Sequence, residues 1–153
     1  MAELSSRTPR ALPSGAKARR HREERNTNIE MYEISIKSSF SSAHQLKGYD
    51  GVCENLHGHN WNAEVFVRTN KLDEIGLGID YKILEEHTDN ILKELDHKNI
   101  NEVVPFDKIN PSSENIAQWL YKKLSDVINT ENLKVFRVKI KETESFSASY
   151  SEE

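Results

Sequence analysis

Residues 53–67 read Cys-Glu-Asn-Leu-His-Gly-His-Asn-Trp-Asn-Ala-Glu-Val-Phe-Val and contain a segment that opens with two histidines. Alternate side chains of an extended strand share a face, so His57 and His59 leave the same side as Trp61 and the apolar residues that follow it. The polar residues between them fall on the opposite side. The pattern predicts a half-buried strand whose buried face begins with two imidazoles.

The segment before this one has the same kind of alternation. Its even positions from 32 to 40 are mostly apolar or aromatic, and its odd positions are polar. If no bulge intervenes, His44 continues the apolar face, because a strand keeps its parity until a bulge changes it. Three imidazoles would then meet at the adjoining ends of two strands. A lone His-x-His is a common surface feature, but this shared parity favours a metal site.

The kind of metal site depends on the fourth ligand. Three neutral nitrogen ligands with an open position are typical of catalytic zinc, whereas structural zinc sites are closed by four ligands, usually including cysteines. Cys53, the only cysteine of the chain, lies four residues before His57. The residues alone leave two roles open for this thiol, a fourth ligand or a base beside the metal.

Composition limits the class of protein. The 153 residues are 36% hydrophobic and 30% charged, which suits one soluble globular domain, and no apolar run approaches the length of a membrane span. A single cysteine cannot form an internal disulfide, which indicates a free thiol in a reducing compartment and predicts a cytoplasmic protein. The net charge of −4 gives no sign of nucleic-acid binding, and we expect no membrane partner.

The first 30 residues differ from the rest. They carry seven Lys or Arg and four Glu, whereas residues 31–153 carry 14 basic and 21 acidic side chains. The arginine-rich run at 19–25 is compatible with a nucleic-acid arm or a transit peptide, but its glutamates and lack of an apolar period argue against both. We predict that residues 1–30 are a disordered or non-native extension and that residues 31–153 form the domain.

The order of elements predicts an α+β fold. After the two strands, Asp80 can cap an amphipathic helix that ends near Asp96, and Ser112 can cap a second helix after Asn110-Pro111. A strand follows, and the short segment 146–150 completes a hairpin. We expect a ββααββ domain in which two helices pack on one face of a four-stranded antiparallel sheet. The residues expected to face the core from the third strand are Phe136, Val138, Ile140 and Glu142.

Glu142 is therefore predicted to point inward, where an unpaired carboxylate is costly. Such an acid needs an internal cation or a ligand with N–H donors. Two alternatives remain open from the pattern: the strand ends at Lys141 and Glu142 points to water, or Glu144, of the same parity, is the functional acid. Because Glu142 lies on a different strand from the histidines, we expect it to play no part in metal binding.

Several motifs occur in one order and cover most of the chain from residue 31 to 150. In combination they resemble the 6-pyruvoyltetrahydropterin synthase family, and the three-residue gap between Cys53 and His57 resembles its bacterial 6-carboxy-5,6,7,8-tetrahydropterin synthase branch. The motifs are Phe40-Ser-Ser-Ala-His44, Cys53-x-x-x-His57-Gly-His59-Asn-Trp61, Asp96-His97, Asn110-Pro-Ser-Ser-Glu-Asn115 and Glu142-Thr143.

The resemblance implies a T-fold whose subunits join their sheets into a barrel, commonly as a hexamer of two trimers. It also implies Zn²⁺ as the cofactor, held by His44, His57 and His59. Cys53 would be the general base. The remaining proton-transfer group would be Asp96 with His97, from the same or a neighbouring subunit.

For the substrate, the resemblance implies that Glu142 clamps the edge of a pterin with help from Ser112 and Ser113. The expected reaction is the conversion of 7,8-dihydroneopterin triphosphate to 6-carboxy-5,6,7,8-tetrahydropterin, with release of acetaldehyde and triphosphate, in queuosine biosynthesis. Competing interpretations are a pyruvoyl-forming synthase, a zinc hydrolase in which Cys53 is incidental, and a non-catalytic pterin-binding protein.

Overall fold

The computed structural model describes residues 30–152, and its core is one antiparallel sheet with strands in the order β1-β2-β3-β4. The predicted ββααββ order is confirmed. The prediction for residues 1–30 lies, apart from residue 30, outside the described part of the chain. The elements are β1 (Tyr32–His44), β2 (His57–Thr69), α1 (Tyr81–Leu92), α2 (Ser113–Ile128), β3 (Leu133–Lys141) and β4 (Ser147–Tyr150).

The long β1–β2 pair positions the candidate site. The two strands pair without a bulge over their whole length, from Tyr32 opposite Thr69 to His44 opposite His57. The alternation read from the sequence is therefore preserved to the last pair. Trp61 and the apolar residues that share its parity are fully buried, and they form the contribution of β2 to the core.

Both helices pack on one face of the sheet, α1 against β1 and α2 against β3 and β4. The side chain of Asp80 caps α1 by accepting a hydrogen bond from the Lys82 amide, and Ser112 caps α2 through the Asn115 amide. The prediction that α1 continues to near Asp96 is wrong, because the helix ends at Leu92. Leu95, in the turns that follow, is still fully buried, so the apolar period outlasts the helix.

The faces predicted for Val135 and Phe136 of β3 are wrong. The β2–β3 register shifts between Phe66 and Val67, so that Phe136 is an extra residue on β3. As a result Val135 is buried, whereas the ring of Phe136 lies beneath the Arg68 guanidinium, 3.2 Å from its Cζ. The extra residue shifts the alternation by one, so Val135 and Val138 both face the core although one is odd-numbered and the other even-numbered. Beyond it, Val138 and Ile140 face the core as predicted.

No helix within residues 30–152 combines the length and the apolar character that a membrane span requires.

Candidate metal and active site

The structure brings together the three histidines that the sequence predicted as metal ligands. His44 ends β1 directly opposite His57, the first residue of β2, and His59 follows two residues later on the same face. One ligand atom from each of these histidines and one from Glu142 lie within 4.8 Å of one another. His44 is 1% exposed, and the others are partly buried.

Backbone carbonyls determine which nitrogen of two histidines faces the centre. His44 Nδ1 lies 2.8 Å from the Pro111 carbonyl oxygen, and His57 Nδ1 lies 2.7 Å from that of Asn55. A carbonyl only accepts, so each Nδ1 carries a proton and donates it, and Nε2 is the ring nitrogen that faces the centre. Hydrogen bonding of the second ring nitrogen is the usual support for a metal-binding histidine.

The ring of Trp61 packs against two of the three imidazoles. Trp61 is fully buried, and its ring meets those of His44 and His59 edge to face at centroid distances of 4.8 and 5.2 Å. Its Nε1 donates to the Ser42 carbonyl, 3.2 Å away, and Phe40 stacks on its ring. Such a surround limits solvent access and fixes the ligand rings.

The surroundings of His59 favour its neutral form. The pKa of His59 lies below its usual value, chiefly because burial disfavours the charged form, and the neighbouring His44 and His57 lower it further against the opposing effect of Glu142. Neutral imidazole is the form that binds a metal.

Two buried nitrogens of this cluster fit a metal better than an apolar core. Within residues 30–152, His44 Nε2 and His59 Nε2 are buried and make no hydrogen bond of acceptable geometry, although the Glu142 carboxylate is close to both. A buried polar atom without a partner is costly, and a bound cation would satisfy both. The residues present therefore fit the zinc that the family resemblance implied.

Glu142 lies beside the histidines, which the sequence did not predict. Its carboxylate points inward, which agrees with the predicted parity, but Oε1 lies 3.3 Å from His44 Nε2, 3.9 Å from His57 Nε2 and 2.9 Å from His59 Nε2. The alternative acid, Glu144, is 89% exposed and pairs with Lys141. Our expectation that Glu142 stays apart from the metal ligands is not met by this arrangement.

A cavity of about 470 Å³ opens beside the histidines. Cys53 lines it, partly buried in a short 3₁₀ turn, but its sulfur is not among the four clustered ligand atoms. Ser112 and Ser113, at the start of α2, also line it, and Ser113 Oγ lies 3.4 Å from Glu142 Oε2. The side chain of Ser112 is engaged in capping α2. The cavity thus joins the thiol, the acid and the metal cluster.

Asp96 and His97 lie elsewhere in this chain. Neither lines the cavity that contains Cys53. Asp96 Oδ1 accepts from the Ser41 amide at 2.9 Å, and Oδ2 lies 2.8 Å from His97 Nδ1. The Ser41 bond, with the His97 contacts, holds the pKa of Asp96 below its usual value. His97 is 82% exposed and adopts a left-handed backbone (φ 56°), a conformation that is uncommon outside glycine.

Two asparagines to which the sequence gives no role at the site support the cavity wall. Asn101 exchanges two hydrogen bonds with the backbone of Gln45, at 2.8 and 2.9 Å, and Asn110 does the same with Lys47, at 2.8 and 3.0 Å. Both hold the segment that leads from β1 to Cys53. Only the turn propensity of asparagine distinguishes these residues in the sequence, and it does not reveal their partners.

Comparison with known proteins identifies relatives of this arrangement. The family model described as 6-pyruvoyl tetrahydropterin synthase matches residues 33–153. A 6-carboxy-5,6,7,8-tetrahydropterin synthase of Synechocystis is 36% identical over 101 residues, 63% of this chain and 77% of the relative. A dihydroneopterin monophosphate aldolase of Pyrococcus furiosus is 37% identical over 93 residues, 60% of this chain and 73% of the relative.

Solved structures support the same grouping. The structure of 6-pyruvoyl tetrahydropterin synthase from Caenorhabditis elegans superimposes with a TM-score of 0.70 and 28% identity, covering 82% of this chain and 98% of that one. This similarity confirms the predicted T-fold subunit. The three relatives have different reactions in their names, so similarity alone leaves the product undetermined.

Proposed function

The chain belongs to the 6-pyruvoyl tetrahydropterin synthase family, and on this premise we propose that it is a zinc-dependent 6-carboxy-5,6,7,8-tetrahydropterin synthase. The substrates would be 7,8-dihydroneopterin triphosphate and water, and the products 6-carboxy-5,6,7,8-tetrahydropterin, acetaldehyde and triphosphate. This reaction would serve queuosine biosynthesis in the cytoplasm. The observation that carries the proposal is one cavity that joins Cys53 and Glu142 to a cluster of three histidines.

His44, His57 and His59 would hold the zinc through their Nε2 atoms. A bound zinc ion acts as a Lewis acid that lowers the pKa of a coordinated water or hydroxyl group. The carbonyl bonds of Pro111 and Asn55 keep two of these rings in the correct tautomer before any ligand arrives. Together with the packing of Trp61 against the rings of His44 and His59, these bonds preorganise the site.

Cys53 would act as the general base of the side-chain chemistry. A thiolate is the reactive form, and a nearby cation lowers the pKa of a thiol. Cys53 lines the cavity outside the clustered ligand atoms, which suits a base better than a fourth metal ligand. The sulfur of Cys53, as the proton acceptor, would lie beside the hydroxyl-bearing side chain of the substrate while the triphosphate leaves.

Glu142 would anchor the pterin by accepting hydrogen bonds from its N–H groups. Ser112 and Ser113 lie on the same cavity wall at the start of α2 and would help to orient the ring. Each charge-assisted hydrogen bond contributes about 1.5–3 kcal/mol to such recognition. The position of Glu142 between the histidines and the serines is compatible with this role.

We infer that the site is completed by a second subunit. Asp96 and His97 do not line the cavity, and no Lys or Arg of residues 30–152 lines it either, although the proposed substrate carries a triphosphate. Within residues 30–152, β1 and β4 are the outer strands of the sheet, and each pairs with one other strand. A hexamer of two trimers, with sheets joined into barrels, would bring the Asp96–His97 pair of one subunit to the cavity of the next.

The main alternative is a pyruvoyl-forming synthase, which would eliminate triphosphate from the same substrate without losing two carbons. The short gap between Cys53 and His57 argues against it. The Pyrococcus relative adds an aldolase acting on dihydroneopterin monophosphate as a second alternative. A zinc hydrolase is less compatible with Glu142 in the cavity, and a non-catalytic binding protein with the intact set of Cys53, Asp96 and His97.

Product analysis tests the proposal. The zinc-loaded full chain is incubated with 7,8-dihydroneopterin triphosphate, and the products are identified by mass spectrometry. We expect 6-carboxy-5,6,7,8-tetrahydropterin and acetaldehyde in equal amounts. A pyruvoyl product, cleavage of dihydroneopterin monophosphate, or recovery of unchanged substrate would each replace the proposal with the corresponding alternative.

A further inference from the structure

One oxygen of Glu142 occupies the position that a fourth metal ligand would take. Zinc binds nitrogen and oxygen ligands at 2.0–2.2 Å, so two ligand atoms of a tetrahedral site are about 3.3 Å apart. The separations of Glu142 Oε1 from the three Nε2 atoms are 2.9, 3.3 and 3.9 Å, which lie on both sides of that value. The oxygen therefore lies at separations from the three nitrogens close to those of ligands that share one metal ion.

The orientation of the rings makes this arrangement informative. His44 and His57 donate their Nδ1 protons to carbonyl groups, so in each ring Nε2 is the nitrogen that faces the Glu142 carboxylate. A metal ion among these converging nitrogen and oxygen atoms would be bound by all of them. It would also satisfy the Nε2 atoms of His44 and His59, which are buried without a hydrogen-bond partner within residues 30–152.

We propose that Glu142 is a fourth metal ligand in the substrate-free enzyme and that substrate binding displaces it from the metal. This inference rests on the proposed function, because the same carboxylate is there assigned to the pterin. One carboxylate oxygen cannot face three imidazoles and accept the pterin N–H groups together. Binding of the pterin would therefore free the coordination position that the substrate side chain needs, and an unliganded enzyme would keep its metal closed to water.

The surroundings of Glu142 suit an exchange of partners. The carboxylate is 24% exposed, and it lies at the end of β3, where only its backbone is tied to the turn through the Phe146 carbonyl. Its second oxygen already lies 3.4 Å from Ser113 Oγ, on the cavity wall. A rotation about the side-chain bonds would carry the group from the histidines into the cavity without moving the strand.

Anion binding to the cobalt-substituted full-length protein tests the ligation. Cobalt(II) reports changes of its ligands in its visible absorption, and azide serves as the probe for an open coordination position. We expect azide to bind the parent at least about tenfold more weakly than Glu142→Gln, because the amide is a poor ligand and leaves the position open. Chelator competition should show that Glu142→Gln also binds zinc at least about tenfold more weakly.

Two further variants separate ligation from charge. Glu142→Asp keeps the charge but is one methylene shorter, so we expect it to bind azide as Glu142→Gln does. If it binds azide as weakly as the parent, Glu142 acts only through its charge and the proposal is overturned. Glu144→Gln is the matched control, since this acid belongs to the same turn, is 89% exposed and pairs with Lys141; it should resemble the parent.

The exchange itself is tested with pterin, which carries the ring without the hydroxylated side chain. Adding pterin to the cobalt-substituted parent should change its spectrum and strengthen azide binding at least about tenfold. An unchanged azide affinity in the presence of bound pterin would overturn the exchange. Glu142→Gln should show no comparable response, because its coordination position is already open.

The readouts keep this proposal distinct from the proposed function. If the parent makes the expected product but binds azide as Glu142→Gln does, the ligation proposal fails and the function stands. If the metal measurements come out as expected while no tetrahydropterin product forms, the function fails and the ligation of Glu142 stands.

Discussion

One backbone carbonyl for each ring fixes the orientation of His44 and of His57. The Pro111 carbonyl that orients His44 belongs to the turn before α2, so the start of that helix and the end of β1 are joined through a side chain. Asn55, which orients His57, lies between Cys53 and β2. The tautomers of both rings are therefore set by segments that also line or approach the cavity.

At this scale we expect the histidines and Cys53 to differ in metal binding. His57→Ala should lose most of the bound zinc, because the site then lacks one of its three nitrogen ligands. Cys53→Ala should retain zinc, since its sulfur lies outside the clustered ligand atoms. Elemental analysis of the purified variants checks both, with His87→Ala, a histidine outside the cluster, as control. Zinc loss from Cys53→Ala would make the thiol a ligand.

Cys53 is also expected to matter for turnover far more than for binding. Cys53→Ala should lower kcat by roughly 10²–10⁴, the usual contribution of a general acid or base. Its affinity for pterin should stay near that of the parent, because the proposed anchor is Glu142. Steady-state kinetics and equilibrium binding measure the two effects separately. A variant that keeps its kcat would exclude Cys53 as the base.

At the scale of elements, two asparagine side chains hold the segment before Cys53. Each asparagine donates to one backbone carbonyl and accepts from the amide of the same residue, as a neighbouring strand would do. The segment from 45 to 47 is thus fixed although it pairs with no strand. Leu46, within this segment, and Tyr49, just after it, form part of the cavity wall.

Removing one of these asparagine side chains should make this cavity wall more mobile. Asn101→Ala leaves the amide and the carbonyl of Gln45 without these partners, and we expect the free energy of unfolding to fall by about 1–3 kcal/mol. The alkylation rate of Cys53 should rise several-fold, because the thiol is partly buried in the parent and would become more accessible in the variant. Asn90→Ala, an exposed position of α1, is the control for both measurements. An unaltered alkylation rate with lowered stability would limit Asn101 to a structural role.

The elements also show what the sequence could and could not predict. The β1–β2 pair follows from alternation alone, because no bulge interrupts it. The bulge at Phe136 was not predicted, since the ring can pack beneath Arg68 as well as in the core. The approach of Glu142 to the histidines was missed for a related reason. It depends on where β3 ends beside β2 and on the turn that follows, and no spacing along the chain encodes that position.

For the whole molecule, residues 1–30 are expected to contribute little to the domain. They contain no apolar period that could dock on the core. Deletion of residues 1–30 should leave the melting temperature, the oligomeric state and kcat nearly unchanged. Calorimetry, gel filtration and steady-state kinetics check the three. Disassembly, or a melting temperature lower by many degrees, would show that the segment stabilises the protein.

Assembly decides whether the separated groups of this chain form one active site. Cys53 lines the cavity, whereas His97 is 82% exposed at the β1 side of the sheet, held to Asp96. If a neighbouring subunit supplies the Asp96–His97 pair, Cys53→Ala and His97→Ala subunits should complement each other. Each variant alone should be nearly inactive, but a mixed oligomer contains sites with an intact thiol from one subunit and an intact imidazole from the next.

Random mixing at equal amounts should restore about one quarter of the parent activity, because each site needs the correct variant at two positions. Co-expression of the two variants with different affinity tags, followed by tandem purification, gives the mixed oligomers for kinetic assay. A mixture of separately purified oligomers that have not exchanged subunits is the control and should stay inactive. If mixed oligomers show no recovery, Cys53 and His97 must act from the same chain or not together. The proposal of a shared site would then be wrong, whereas the metal cluster, which lies within one chain, would be unaffected.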